Sequence, residues 1–170
     1  MEAYENLCTR RSVRKFNGKR IPKELLEKIV YAGQCAPSGM NRQPICMVVV
    51  QDKEMIKKLS VMNAAVMNAS MDPFYGCDSI IVVFGSPDIS RTYLYDGSLV
   101  MGNLLNAAHA VGVSSCWIHR AKEVFETDEG KQLMKEWGVD ESFVGIGNCI
   151  LGYTDEKPIM VSRTSKVVWK

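Results

Sequence analysis

Apolar positions along the chain fall into two recurring patterns, the three-to-four spacing of a helix and the short unbroken run of a buried strand. Residues 2–9 predict a short helix. Pro22 opens a second helix through about Gly33, with Leu25, Leu26, Ile29 and Val30 on one face. Residues 45–50 (ICMVVV) read as a buried strand. Asp52 caps the next helix, where Met55, Ile56 and Leu59 face inward and Lys57 and Lys58 outward. Residues 80–84 (IIVVF) form a second buried strand, bounded by Gly85, Ser86 and Pro87. A long helix over 91–111 follows, ended by Gly112, then a strand over 114–118. Thr127, with Asp128 and Glu129 behind it, starts a helix ending near Gly138, with Leu133, Met134 and Trp137 inward. Residues 143–151 (FVGIGNCIL) give a last strand, and a polar tail runs to Lys170.

Helices thus separate most strands, which predicts an α/β or α+β sandwich around one sheet. From Leu99 onward the 91–111 helix is apolar nearly all round, with Asn103, Asn106 and His109 as its polar side chains. Such a helix is either the centre of the core or part of a subunit interface. Because 170 residues offer limited room to surround it, the pattern leans towards an interface.

At 170 residues the chain is expected to form one domain, 1–170, with 46% hydrophobic and 24% charged residues, as in ordinary globular proteins. Its first residues lack the basic-then-apolar order of a signal peptide, and no apolar run approaches the ~20 residues of a membrane span. These features predict a cytoplasmic protein without a membrane partner. Cys8, Cys35, Cys46, Cys77, Cys116 and Cys149 are scattered, with no C-x-x-C pair, so reduced thiols are expected. Only His109 and His119 could join them as ligands, and no metal site is expected.

Charge changes the picture more. Arg10, Arg11, Arg14, Lys15, Lys19 and Arg20 crowd one segment that contains no carboxylate, yet the whole chain is only +2. So local an excess suits one local anion, such as a cofactor phosphate, which guanidinium groups grip two oxygens at a time. A solvated basic turn is the plainer alternative. A nucleic-acid module is a poorer one, because Phe16 is the only aromatic in the run and no recognition motif accompanies it.

Familiar catalytic motifs are mostly absent. Gly145-Ile146-Gly147 lacks the third glycine of a dinucleotide fingerprint, where Ile150 stands. In Gly112-Val113-Ser114-Ser115-Cys116, Cys116 replaces the closing glycine of a nucleophile elbow. If the chain is an enzyme, its chemistry is expected to belong to a bound organic cofactor. The segment 36–44 (APSGMNRQP) fits that idea, since it sets Ser38, Asn41 and Gln43 between two prolines, able to meet a polar ring. An ordinary helix–strand connection is its alternative reading.

Together RRSVRKF (10–16), PSGMNRQP (37–44), NLLNAAHAVGVSSCWI (103–118) and GNCILGY (147–153) with Lys157-Pro158 resemble the nitroreductase family of FMN-dependent oxidoreductases, over nearly the whole chain. The resemblance implies an α+β, three-layer α/β/α sandwich with a mostly antiparallel sheet. It also implies an intertwined homodimer with two FMN sites at the interface, the tail at about 154–170 reaching across. Arg10, Arg11, Ser12 and Arg14 would embrace the flavin phosphate, ribityl chain and pyrimidine edge, with Arg14 as the cation that stabilises the reduced ring. Pro37, Ser38, Gly39, Asn41 and Gln43 belong to the segment that approaches from the other subunit. Trp117, Ile118, His119 and Arg120 would lie along the ring, and Arg163 would reach the phosphate. No side chain is implied as catalytic, because the chemistry sits at flavin N5. Electrons would pass from NADH or NADPH to a nitroaromatic, quinone or related small conjugated acceptor in ping-pong fashion; the alternative is a flavin-binding protein without turnover, or a reduced-flavin enzyme of another specificity such as dehalogenation. Ile45 stands where the family commonly has Trp, which is expected to reshape the pocket. Val161 stands where Lys is common, which is expected to weaken phosphate binding.

Overall fold

The computed structural model describes residues 2–157 and 159–170. Four strands, β1 (Ile45–Val50), β2 (Ser79–Gly85), β3 (Ser114–Ile118) and β4 (Val144–Gly152), form one sheet in the order β1-β2-β4-β3. Every neighbouring pair is antiparallel, with Val48 opposite Val82, Val82 opposite Asn148 and Ile150 opposite Cys116. Six helices accompany it: α1 (Ala3–Thr9), α2 (Lys23–Gln34), α3 (Lys53–Val66), α4 (Tyr93–Ala110), α5 (Ala121–Glu126) and α6 (Asp128–Glu136).

Successive side chains of β2 point to opposite faces, and both faces are covered. Ile80, Val82 and Phe84 pack with Ile56, Leu59 and Met62 of α3, Phe125 of α5 and Leu133 of α6. Ile81 and Val83 pack with Leu26 and Ile29 of α2 and Met101 and Leu104 of α4. All seven residues of β2 are buried, which is why it reads as an unbroken apolar run although its partners are antiparallel. The result is the expected α+β sandwich of three layers.

The register between β2 and β4 shifts at Val83 and Phe84, leaving Ile146 as an extra residue on β4. Its side chain fills a notch that exists because Gly97 of α4 and Gly85 of β2 carry no Cβ.

The structure adds to the sequence reading at three places. Helix α4 buries Val100, Met101, Leu104, Leu105 and Ala108 within its own chain, beneath α2 and against the sheet. Its own chain covers much of that apolar surface, while Leu94, Tyr95 and Leu99 are exposed. Helix α5 has no counterpart in the periodicity, because six residues hold too few apolar repeats to register. The backbone of the basic run docks against the sheet at Ser12 and Val13, while Arg14, Lys15, Lys19 and Arg20 are exposed.

Candidate functional site

Helix α1 is tied to the far end of α4 by Asn6, whose Nδ2 donates to the Asn106 carbonyl at 3.0 Å, and by Thr9, whose hydroxyl lies 3.0 Å from His109 Nε2. The chain leaves α1 at Arg10 and runs beside β3, the edge strand. Ser12 bridges Ser115 in parallel, and the Val13 N–H donates to the Ser115 carbonyl at 3.0 Å. Val13 is buried, and the Phe16 ring lies over Gly152, where an added Cβ would stand 2.5 Å from it. Farther on, the Ile21 N–H donates to buried Asp78 at 3.0 Å. Apolar anchors thus fix the backbone, while Ser12 and Arg14 stay exposed.

Arg10, Arg11, Ser12, Arg14, Lys157, Val161 and Arg163 line one cleft of about 790 Å³. Its single lining carboxylate, Glu156, is engaged by Lys15 at 2.8 Å. Arg11 Nη1 is spent on α1, donating to the carbonyls of Cys8 and Arg10 at 2.8 and 2.6 Å. Arg10 Nη1 and Arg11 Nε are buried without a partner among the described residues. Pro158 of the KP pair lies outside the described residues.

Beyond Ser115, β3 runs on through Trp117 and Ile118 to His119 and Arg120, none of which lines that cleft. Trp117 packs its indole against Gly147, where a Cβ would collide with Nε1. The Ile118 carbonyl accepts from Asn148 at 3.4 Å, and the His119 carbonyl from the fully buried Asn63 at 2.9 Å. Arg120 adopts a left-handed φ of 74°, and its Nε donates to Asn63 Oδ1 at 3.1 Å. The imidazole of His119 is exposed.

The 37–43 loop stands elsewhere, before β1 at the opposite sheet edge. The Gln43 N–H donates to Ser38 Oγ at 2.9 Å, and Gln43 Nε2 donates to Asn41 Oδ1 at 3.2 Å. Pro37, Ser38 and Gln43 line a second cavity of about 350 Å³ with Ile45, Asp96 and Val100, while Asn41 is exposed. One chain therefore brings Arg10, Arg11, Ser12, Arg14 and Arg163 together beside β3. It does not bring Pro37, Ser38, Gly39, Asn41 or Gln43 to them.

A protein of Archaeoglobus fulgidus named "Putative NADH dehydrogenase/NAD(P)H nitroreductase" is 34% identical over 162 residues, covering 92% of this chain and 88% of that protein. The chain belongs to the nitroreductase family. The sequence model described as "Nitroreductase family" matches residues 7–72. A nitroreductase with bound FMN from Desulfitobacterium hafniense superposes with a TM-score of 0.88 at 25% identity, over 99% of this chain and 98% of that one. A shorter likeness, 41% identity over 58 residues, joins 34% of the chain to 26% of an iodotyrosine deiodinase from Haliscomenobacter hydrossis.

In this member of the family, Arg10 Nη1 and Arg11 Nε are the guanidinium donors left without acceptors among the described residues. Buried guanidinium donors without acceptors are costly, and phosphate oxygens are acceptors of the kind that suits them.

Sequence reasoning passed over Asn63, Asn148 and Asp96. Each had a signal. Asn63 continues the inward stripe of Ile56 and Leu59, Asn148 interrupts an apolar strand, and Asp96 is an acid in the first turn of an apolar helix. A polar side chain at a core position announces a specific partner.

Proposed function

We propose that this chain is an FMN-dependent oxidoreductase that carries electrons from NADH or NADPH to nitroaromatic, quinone or related conjugated acceptors, the two substrates alternating at one site. The cleft lined by Arg10, Arg11, Arg14, Lys157 and Arg163, with partnerless buried donors on Arg10 and Arg11, carries the reading. When bound, FMN supplies the redox chemistry, taking two electrons from the nicotinamide and yielding them to the acceptor. The protein's own work is binding and electrostatics. Arg10 and Arg163 hold the phosphate, and Arg14 stands at the pyrimidine edge, where a cation favours the extra negative charge of the reduced ring. Trp117, Ile118, His119 and Arg120 border the ring, their main chain steadied by Asn63 and Asn148.

The site is completed by a second copy. The 37–43 loop and the basic cleft share no cavity within one chain, so both meet one flavin only across a dimer. Exposed Tyr4 and Leu7 on α1 and Leu94, Tyr95 and Leu99 on α4 supply apolar surface for that contact. Beyond Arg163, the tail leaves Val167, Val168 and Trp169 uncovered in the single chain, and this end reaches across to the partner.

The test is spectroscopic. Purified protein should be yellow, bleach anaerobically with NADH or NADPH, recover with a quinone or nitroaromatic, and release free FMN on acid treatment. Colourless protein that takes up no FMN, or protein that releases FAD, overturns the reading. The stretch shared with an iodotyrosine deiodinase favours reductive dehalogenation as a second reading. Turnover of a halophenol but not of quinones or nitroaromatics would select it.

A further inference from the structure

Asp96, in the first turn of α4, is 4% exposed. Its Oδ1 accepts from the Gly39 N–H at 2.9 Å, and its Oδ2 accepts from Thr92 Oγ1 at 3.0 Å and Ser90 Oγ at 3.3 Å. Its recorded partners are two hydroxyls and one main-chain amide, with no lysine or arginine among them. A buried carboxylate without a counter-ion is costly to keep, and apolar packing would serve stability as well. What the carboxylate does achieve is a grip on one point of the 37–43 loop.

That loop needs gripping. Met40, Asn41 and Gln43 all have left-handed φ values, of 53°, 55° and 50°. Residues with a Cβ hold such a conformation only where their surroundings enforce it. Gly39 lets the loop come close enough, since a Cβ there would stand 2.5 Å from Thr92 Oγ1. The grip at Gly39 fixes its neighbour Ser38, whose Oγ accepts from the Gln43 N–H, and Gln43 in turn holds Asn41. All three side chains proposed to meet flavin are thus set by one carboxylate.

We infer that Asp96 is a positioning residue that acts across the dimer, holding its own chain's 37–43 loop in place for the flavin bound in the partner's basic cleft. The inference rests on the FMN reading above. It predicts that damage to Asp96 in one chain spares that chain's own cleft.

Co-expression of Asp96→Ala and Arg10→Ala chains carrying different tags, with tandem purification, isolates the mixed dimer. Each variant homodimer should bind FMN at least tenfold more weakly than wild type. The mixed dimer should regain one site of wild-type affinity, built from the Asp96→Ala chain's basic run and the Arg10→Ala chain's loop. One FMN per dimer should bind at a concentration that fills both wild-type sites. Asp96→Asn, which keeps an oxygen for the Gly39 N–H and an amide for the two hydroxyls, should stay within threefold of wild type, with the same visible circular dichroism of the bound flavin. Gly39→Ala, which pushes the loop off the clamp and leaves α4 intact, replaces Asp96→Ala if that chain does not fold. A mixed dimer that binds no better than the two homodimers overturns the inference. So does Asp96→Ala protein that binds FMN as wild type does. Wild-type protein that takes up no FMN overturns the functional reading and the inference together, whereas wild-type uptake without restoration overturns the inference alone.

Discussion

Replacing Asp78 with alanine should unfasten the basic segment from the sheet. Asp78 Oδ2 accepts from the Ile21 N–H at 3.0 Å, Gln51 Nε2 at 3.1 Å and Ser79 Oγ at 2.9 Å, and the Arg20 guanidinium stands 3.8 Å from Oδ1. Three hydrogen bonds to a charged acceptor set a ceiling of about 5–9 kcal/mol. Two effects lower it. Alanine no longer buries a charge, and the Ser79 and Gln51 side chains can turn towards other acceptors. The Ile21 N–H cannot turn, because it belongs to the main chain of a residue only 1% exposed. The net loss should be about 3–5 kcal/mol, a large share of the ~5–15 kcal/mol that holds a typical domain. Asp78→Asn keeps an oxygen for Ile21 but sets an amide against the Gln51 amide, and should lose about half as much. Urea unfolding of flavin-free protein, followed by circular dichroism, measures both losses at an unchanged m-value. The exposed Asp155, which accepts from the Asn17 side chain, is the control, and its replacement by alanine should cost under about 0.5 kcal/mol. A loss below about 1 kcal/mol for Asp78→Ala, or equal losses for Ala and Asn, would refute the reasoning.

Two further outcomes follow from the cleft. Arg10→Ala should weaken FMN binding by about 1.5–3 kcal/mol and leave the midpoint potential of the bound flavin nearly unchanged, whereas Arg14→Ala should make the flavin harder to reduce. Flavin titration and spectroelectrochemistry read both effects, and equal potentials in all three proteins would sink the role given to Arg14. Burial, and then the Arg10 and Arg11 cations, hold His109 below its usual pKa of 6.5, with Glu5 opposing. The unfolded chain therefore takes up this proton first, and stability should fall as pH drops below about 6.5 towards the lowered folded value. His109→Gln should flatten that part of the stability profile measured by urea unfolding, and an unchanged slope would count against it.

The layers were legible in the sequence because burial on both faces leaves a plain mark. IIVVF in β2 and the Leu26/Ile29 and Ile56/Leu59 stripes needed no partner to be recognised. The antiparallel order was not written there, since an apolar run reads alike in either direction. Helix α5 escaped because one and a half turns carry no period, and the bulge at Ile146 because it depends on glycines in two other elements. At the site, charge was legible and position was not. The RRSVR cluster announces an anion, but its docking on β3 depends on Ser115, Gly152 and Asp78, all distant in sequence. Conversely, Asn63 and Asp96 sit within recognisable apolar helices, and only their far-off partners show what they hold.

Crowding cations into one segment raises a physical difficulty that the fold answers by dividing labour. Arg10, Arg11, Arg14, Lys157 and Arg163 repel one another in one cleft, and a flexible segment would relieve that repulsion by spreading into solvent. Val13 and Phe16 oppose the spread because moving them exposes apolar surface, at ~25 cal/mol for every Å². The main chain is pinned at Val13, Asn17 and Ile21 by hydrogen bonds to β3, to the residue after β4 and to Asp78. Lys15 and Arg20 take no part in the crowding, since Glu156 engages one and the Gln51 carbonyl the other. The core and the sheet edge therefore hold these cations close together at a cost in stability that a phosphate bound among them would remove. Occupancy of the cleft should raise the stability of the whole fold, because the anion relieves a strain that packing alone sustains.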